Sequence, residues 1–230
     1  MRMPPNCERF KTRADWLKAR GIGGSELSTI LGRNKFGSLD ELYDRLTGKP
    51  QKEDKPTERM VEGTKTEESI RTLFSFDFGK EYEVIEPPKR GNWLWRRVDE
   101  RLITCSPDGI IRSKSNRKFG GLEIKNVELR SSDDIALWNS NQLPEQYYWQ
   151  CIQYMVAIPS LEFVVLYAHL KYFTEINGEW VFERAEDKPY FIFRASPETQ
   201  ARIKYAEAME RRFIKEFVEA GKRPPLTIKI

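Results

Sequence analysis

Three residues of this 230-residue chain have the types and spacing to do hydrolytic chemistry together: Asp108, Glu123 and Lys125. Glu123 and Lys125 lie two apart in the run Gly120-Gly121-Leu122-Glu123-Ile124-Lys125-Asn126. On an extended strand both side chains would therefore leave the same face. Asp108, in Ser106-Pro107-Asp108-Gly109, precedes Glu123 by 15 residues, a distance over which a hairpin can return it alongside. Two carboxylates offer the hard oxygen ligands that suit Mg²⁺, an ion that keeps several waters and takes one or two protein carboxylates; Mn²⁺ is served by the same donors. The backbone carbonyl of Ile124 is a candidate third ligand. Lys125, beside such an ion, would hold and polarise a water. Phosphodiester hydrolysis needs these parts: an activated water, neutralised charge on the phosphorus, and help for the leaving oxygen. An exposed Glu–Lys pair two apart is otherwise a solvated ion pair of small energetic value.

Pro107-Asp108 followed by Glu123-Ile124-Lys125 matches the PD-(D/E)xK pattern of metal-dependent nucleases, which is short and degenerate. Three other stretches add to it. Glu67 stands on a predicted helix just ahead of the strands, where an acid can serve as an extra metal or water ligand; the neighbouring Glu68 reads as polar helix surface. Gln150 and Gln153, three apart on an otherwise apolar and aromatic helix, share one face, and amides on a largely buried helix need partners. The loop Arg20-Gly21-Ile22-Gly23-Gly24-Ser25 opens a helix and offers a guanidinium, a hydroxyl and backbone N–H groups to an anion.

The elements that must position these groups follow from periodicity and punctuation. The first 50 residues read as helix, turn, helix, with Ser25 and Ser38 as candidate caps. Ile70, Leu73 and Phe74 are at helical spacing in a helix ending at Gly79. Strands are expected from 82 up to the double proline at 87–88, on both sides of a bend at Pro107-Asp108-Gly109, over 119–127, in the apolar run containing His169, and over 189–196. A helix is expected over 144–158, and a last one has Ser196 as cap, Pro197 at its first position and Gly221 beyond its end. The pattern predicts a single α/β domain over 1–230 with a mixed central β-sheet flanked by helices.

Composition narrows the functions. With 39 basic and 35 acidic residues, the net charge of +4 permits a nucleic-acid partner without demanding one. No apolar run approaches the roughly 20 residues that cross a bilayer, and the N-terminal stretch lacks a signal-peptide core. Three scattered cysteines (Cys7, Cys105, Cys151) argue for a reducing compartment and against a disulfide or zinc framework. The expectation is a cytoplasmic protein with no membrane partner. The single histidine, His169, excludes two-histidine mechanisms and reads as structural.

The segments 16–32, 62–74, 106–111, 121–126 and 147–157, in that order, resemble the YqaJ-type viral recombinase family of alkaline exonucleases, to which phage lambda exonuclease belongs. The resemblance implies a restriction-endonuclease-like core and a Mg²⁺-dependent 5′→3′ exonuclease. Such an enzyme digests linear double-stranded DNA from its ends and leaves 3′ single-stranded tails. It implies a phage- or prophage-encoded homotrimer working beside a single-strand annealing protein. Carried over residue by residue, Asp108 and Glu123 would bind the metal, Lys125 would serve the water, and Glu67 would be the additional acid. Arg20 and Ser25 would hold the terminal 5′-phosphate, and the helix glutamine would be Gln153 or Gln150. Met60 would stand where an apolar wedge splits the terminal base pairs. The alternatives are an endonuclease on the same fold, which would cut circular duplex, and a non-catalytic DNA-binding assembly protein, which would usually have lost one of Asp108, Glu123 or Lys125.

Overall fold

The glycine pair ahead of Glu123 makes room for the packing on both faces of the strand that follows it. A Cβ on Gly120 would come within 2.4 Å of the Phe163 ring, and one on Gly121 would press at 3.2 Å on the Tyr154 ring. Strand β6 (Phe119–Leu129) thus carries two bare backbone positions where neighbours close in, then alternates. Leu122 and Ile124 join one apolar cluster, while Glu123 and Lys125 point to the other side, where they bond each other.

The computed structural model describes residues 4–34, 37–49, 58–85, 92–129, 131–140, 142–176, 179–184, 190–194 and 196–225, with the backbone alone given within 58–65 and 172–192. Among these, β6 lies inside a mixed sheet of order β2-β5-β6-β7-β8, in which β9 also pairs with β7. The strands are β2 (Tyr82–Ile85), β5 (Gly109–Ser113), β7 (Phe163–Ile176), β8 (Glu179–Arg184) and β9 (Tyr190–Arg194). β5 runs antiparallel to β6 and β7 parallel to it. A second sheet joins β1 (Cys7–Phe10), β3 (Asn92–Arg96) and β4 (Thr104–Cys105).

Helices cover both faces of the larger sheet. On one side α4 (Glu58–Phe78) sets Ile70 and Phe74 against Tyr82, Leu122, Phe163 and Tyr167. On the other, α6 (Glu145–Ala157) lies buried along most of its length between α2 (Gly24–Ile30) and α7 (Pro197–Phe213), with α3 (Leu39–Leu46) packed on α2. Two shorter helices, α1 (Arg13–Ala19) and α5 (Ser132–Asn139), complete the set. α7 continues into a wide helical turn, Ile214–Glu219, before Gly221 takes a left-handed φ of +62°. No described helix is long and apolar enough to cross a membrane.

The predicted α/β arrangement with a mixed sheet is the one observed, with some corrections in detail. The N-terminal stretch opens with β1, too short and too charged to stand out by periodicity. The hairpin expected to return Asp108 to Glu123 is the β5–β6 turn, and the bend at Pro107-Asp108-Gly109 joins β4 to β5, which belong to different sheets. Ser25 does not cap α2; the cap position is Gly23, whose N–H donates to the Glu26 carboxylate at 3.1 Å. Helix α5 and strand β8 were also not expected, both being short segments of mixed polarity.

Candidate active site

The β5–β6 register sets Gly109 opposite Leu122, which places Asp108 at the level of Glu123. The Asp108 carboxylate accepts the Ile124 N–H at 2.8 Å, and the Asp108 carbonyl accepts from the Arg71 guanidinium at 2.9 Å. The backbone on either side of the carboxylate is thereby fixed to β6 and to α4. Glu123 is 1% exposed, and both its oxygens are engaged: Oε1 accepts from the Lys125 ammonium and Oε2 from the Tyr154 hydroxyl on α6. Lys125 also stands 5.0 Å from the centre of the Tyr147 ring, a cation–π distance.

Glu67, one turn before Arg71 on α4, is bonded to the Arg71 guanidinium. Asp108 and Glu67 therefore hang on one arginine, and Glu123 and Lys125 on each other. The electrostatics follow. Burial, then Glu123, then Glu67 push the Asp108 carboxyl well above its ordinary range. Burial also raises Glu67, with Arg71 opposing and Glu123 reinforcing the rise. Burial alone would lower the Lys125 ammonium, but Glu123 and Asp108 outweigh it and hold it above its ordinary value.

This donor set fits a divalent cation. Burial and the neighbouring carboxylates push Asp108 and Glu67 towards neutrality, the condition that a double positive charge relieves. Among the described residues no three His, Cys, Asp or Glu side chains close a ready-made cage. A site built on Asp108 and Glu123, completed by a carbonyl and waters, suits Mg²⁺ better than an ion that wants an all-protein shell.

A cavity of about 120 Å³ opens on the α6 side, lined by Trp16, Arg20, Gly23, Gly24, Ser25, Ser106, Gln150 and Tyr154 among others. The Arg20 guanidinium lies 5.2 Å over the Trp16 ring and bonds Glu26 at 3.1 Å. The Ser25 hydroxyl donates to the same Glu26 oxygen at 3.1 Å. Arg45 bonds the other oxygen at 3.0 Å and the carbonyls of Arg20 and Gly21 at 2.8 and 3.1 Å, which ties down the glycine loop. Burial opposes ionisation of Glu26, but Arg20 and Arg45 prevail and keep its carboxyl below the usual range.

The two glutamines part company. Gln150 packs against Gly24, whose Cβ would lie 2.4 Å from its Cγ, and lines the cavity. Gln153 is fully buried; its amide nitrogen donates to the Ile22 and Thr104 carbonyls and to Glu210 Oε1 at 2.8 Å. Its place is the junction of α6, α7 and the glycine loop, so the amide at the cavity is Gln150. Met60 falls on α4 where the side chains lie outside those described.

Reading the sequence alone misses Tyr154, Arg71, Glu26 and Ser106. Tyr154 is four residues from Gln150 and Arg71 four from Glu67, so helical spacing from a named candidate would have found both. Glu26 and Ser106 carry no such signal.

A family model described as the YqaJ-like viral recombinase domain matches residues 15–158, which span the cavity loop, both carboxylates, Lys125 and all of α6. The chain belongs to this family. The YqaJ protein of Bacillus subtilis strain 168 is 26% identical over 146 residues, covering 63% of this chain and 42% of that protein, so the chain spans under half of that relative. Among solved structures, the alkaline exonuclease LHK-Exo of Laribacter hongkongensis superposes with a TM-score of 0.58 at 20% identity, covering 90% of this chain and 93% of that one. A phage-related exonuclease of Haemophilus somnus 129PT gives 0.51 at 15% identity, covering 88% and 96%. At these identities the likeness is one of fold, and it assigns the YqaJ-like chain the restriction-endonuclease-like core that its mixed sheet displays.

Proposed function

We propose that this YqaJ-like chain is a divalent-metal-dependent nuclease that digests linear double-stranded DNA from its 5′ ends and leaves 3′ single-stranded tails. The observation that carries this reading is the continuity of the two sites. Tyr154 bonds Glu123 with its hydroxyl and lines the cavity of Arg20 and Ser25 with its ring. The likeness in fold to the alkaline exonuclease LHK-Exo is consistent with it.

Asp108, Glu123 and the Ile124 carbonyl would hold Mg²⁺, with Mn²⁺ as a substitute; the ion would supply charge for the phosphate and acidity for a bound water. Lys125, kept as an ammonium by Glu123 and Asp108, would hold and polarise that water. Glu67, released from Arg71 or shared with it, would accept a further hydrogen bond from the water. Arg20 and Ser25 would grip a terminal 5′-phosphate, exchanging part of their bonding to Glu26 for the charge-assisted bonds that phosphate oxygens offer. Gln150 would add an amide donor from the opposite wall. A pocket for a terminal phosphate next to the metal would fix the polarity of digestion. Backbone contacts of this kind carry no sequence information, which suits an enzyme that must travel along any DNA. A homotrimer enclosing the duplex, acting beside a single-strand annealing protein in the cytoplasm of a phage-infected cell, is the assembly this reading implies.

The test is a timed digest of linear duplex labelled at either end, with and without 5′-phosphate and with and without Mg²⁺. Metal-dependent release of label from the phosphorylated 5′ end supports the proposal. Cleavage of covalently closed circles would replace it with an endonuclease, and no cleavage of any DNA would remove it.

A further inference from the structure

Glu123 is held by two donors of very different stiffness. Lys125 reaches it with an ammonium on a flexible four-carbon stem. Tyr154 reaches it with a phenol whose ring is fixed by packing: 2% exposed, against Gly121 on one side and the cavity on the other. The last torsion of a glutamate is broad and nearly two-fold, so something must choose the plane of the Glu123 carboxylate. A lysine cannot do this alone, and the Tyr154 hydroxyl lies on the oxygen that the lysine does not use.

We propose that Tyr154 is a positioning residue for the metal centre: its hydroxyl fixes the plane of the Glu123 carboxylate and so sets affinity for the divalent ion before any DNA arrives. This rests on the reading of Glu123 as a metal ligand. Removing a hydrogen-bond partner that orients a ligand typically costs about 10–100-fold in metal affinity or activity.

The experiment is a titration of DNA-free protein with Mn²⁺, followed by the loss of the free-ion electron paramagnetic resonance signal, on wild type, Tyr154→Phe, Glu123→Gln and the double variant. Phenylalanine keeps the ring and removes only the hydroxyl. The expected result is Mn²⁺ affinity lowered about tenfold or more in Tyr154→Phe, with a thermal midpoint in chelator within a few degrees of wild type. In the digest, the same variant should need more metal for half-maximal rate while the KM for DNA ends stays put. On the Glu123→Gln background the Tyr154 change should have no further effect on Mn²⁺ binding. Wild-type Mn²⁺ affinity in Tyr154→Phe overturns the proposal, as does a further loss of affinity on the Glu123→Gln background, which would mark a general packing effect. Absence of Mn²⁺ binding by the wild type would instead sink the metal site itself, together with the proposal.

Discussion

Glu210 on α7 is a buried acid that should be neutral when the protein is folded, and this has a measurable consequence. It is fully buried, and its Oε1 accepts the Gln153 amide at 2.8 Å. Its Oε2 and the Gln153 carbonyl oxygen both lack a donor. The arginines nearest to it are committed elsewhere: Arg97 bonds Asp99, Glu207 and the Val156 carbonyl, and Arg211 bonds Glu207 and Asp99. Burial therefore dominates, and the carboxyl is pushed well above its ordinary 4.5. Protonation removes the buried charge and makes Oε2 a hydroxyl instead of a carboxylate oxygen with no donor. The sign follows from linkage. Below about pH 4.5 both folded and unfolded chains hold the proton; above it only the folded chain does. Stability contributed by this group is thus full in acid and is lost as pH rises towards the folded pKa, at about 1.4 kcal/mol per pH unit. Glu210→Gln supplies the donor without the proton. Its stability relative to wild type should rise with pH at that slope, which for a chain of this size means the gap between thermal midpoints widens by about 3–6 °C per pH unit. Melts of both proteins between about pH 4 and about pH 8, recorded in chelator, measure the gap. A gap that stays constant with pH would refute the neutral acid, and a variant uniformly less stable than wild type would show that the carboxylate form is the one the fold uses.

Lys125→Ala should cut Mg²⁺-dependent digestion by about 10²–10³-fold, the usual cost of removing one preorganised donor at a reacting centre, while DNA binding, followed by fluorescence anisotropy, remains measurable. Arg20→Ala should reduce the preference for a 5′-phosphorylated over a 5′-hydroxyl end by about tenfold or more, the worth of a charge-assisted hydrogen bond; equal losses on both ends would speak against the pocket. Gly24→Ala should destabilise the fold by about 1–3 kcal/mol through overpacking, because its Cβ meets Gln150 Cγ at 2.4 Å, and Gln150→Ala added to it should restore part of that loss in a thermal melt.

What the sequence made legible was what depends on local spacing. The two-residue alternation of β6 separates Leu122 and Ile124 from Glu123 and Lys125, and the structure divides them the same way. The serine caps Ser38 and Ser196 do what their positions announce: each side chain accepts from the N–H three residues on. What was hidden depends on long-range partners. Nothing local tells that β4 turns away to a second sheet, since its two residues are defined only by pairing with Trp95 and Arg96. Likewise Gln150 and Gln153 look equivalent on a helix, and only the approach of Gly24 to one and of Glu210 to the other separates them. Glu26 was overlooked because its role is to bind four donors, from Arg20, Gly23, Ser25 and the distant Arg45.

Helix α6 joins the two halves of the candidate site by a short and stiff route. Gln150 and Tyr154 are one turn apart, which along a helix is on the order of 6 Å. Both ends of that turn are set by backbone approaching a side chain: Gly24 at Gln150, and Gly121 at Tyr154. Both contacts are close, so Gln150 and Tyr154 have little room to shift between the cavity and the Glu123 carboxylate. Under the proposed end-directed reading such an interval would matter, because the distance from a held terminal phosphate to the reacting centre would decide which bond is cut. On this reasoning a change at Gly24 or Gly121 would alter where cleavage falls relative to the end, while a change at Lys125 would alter only its rate.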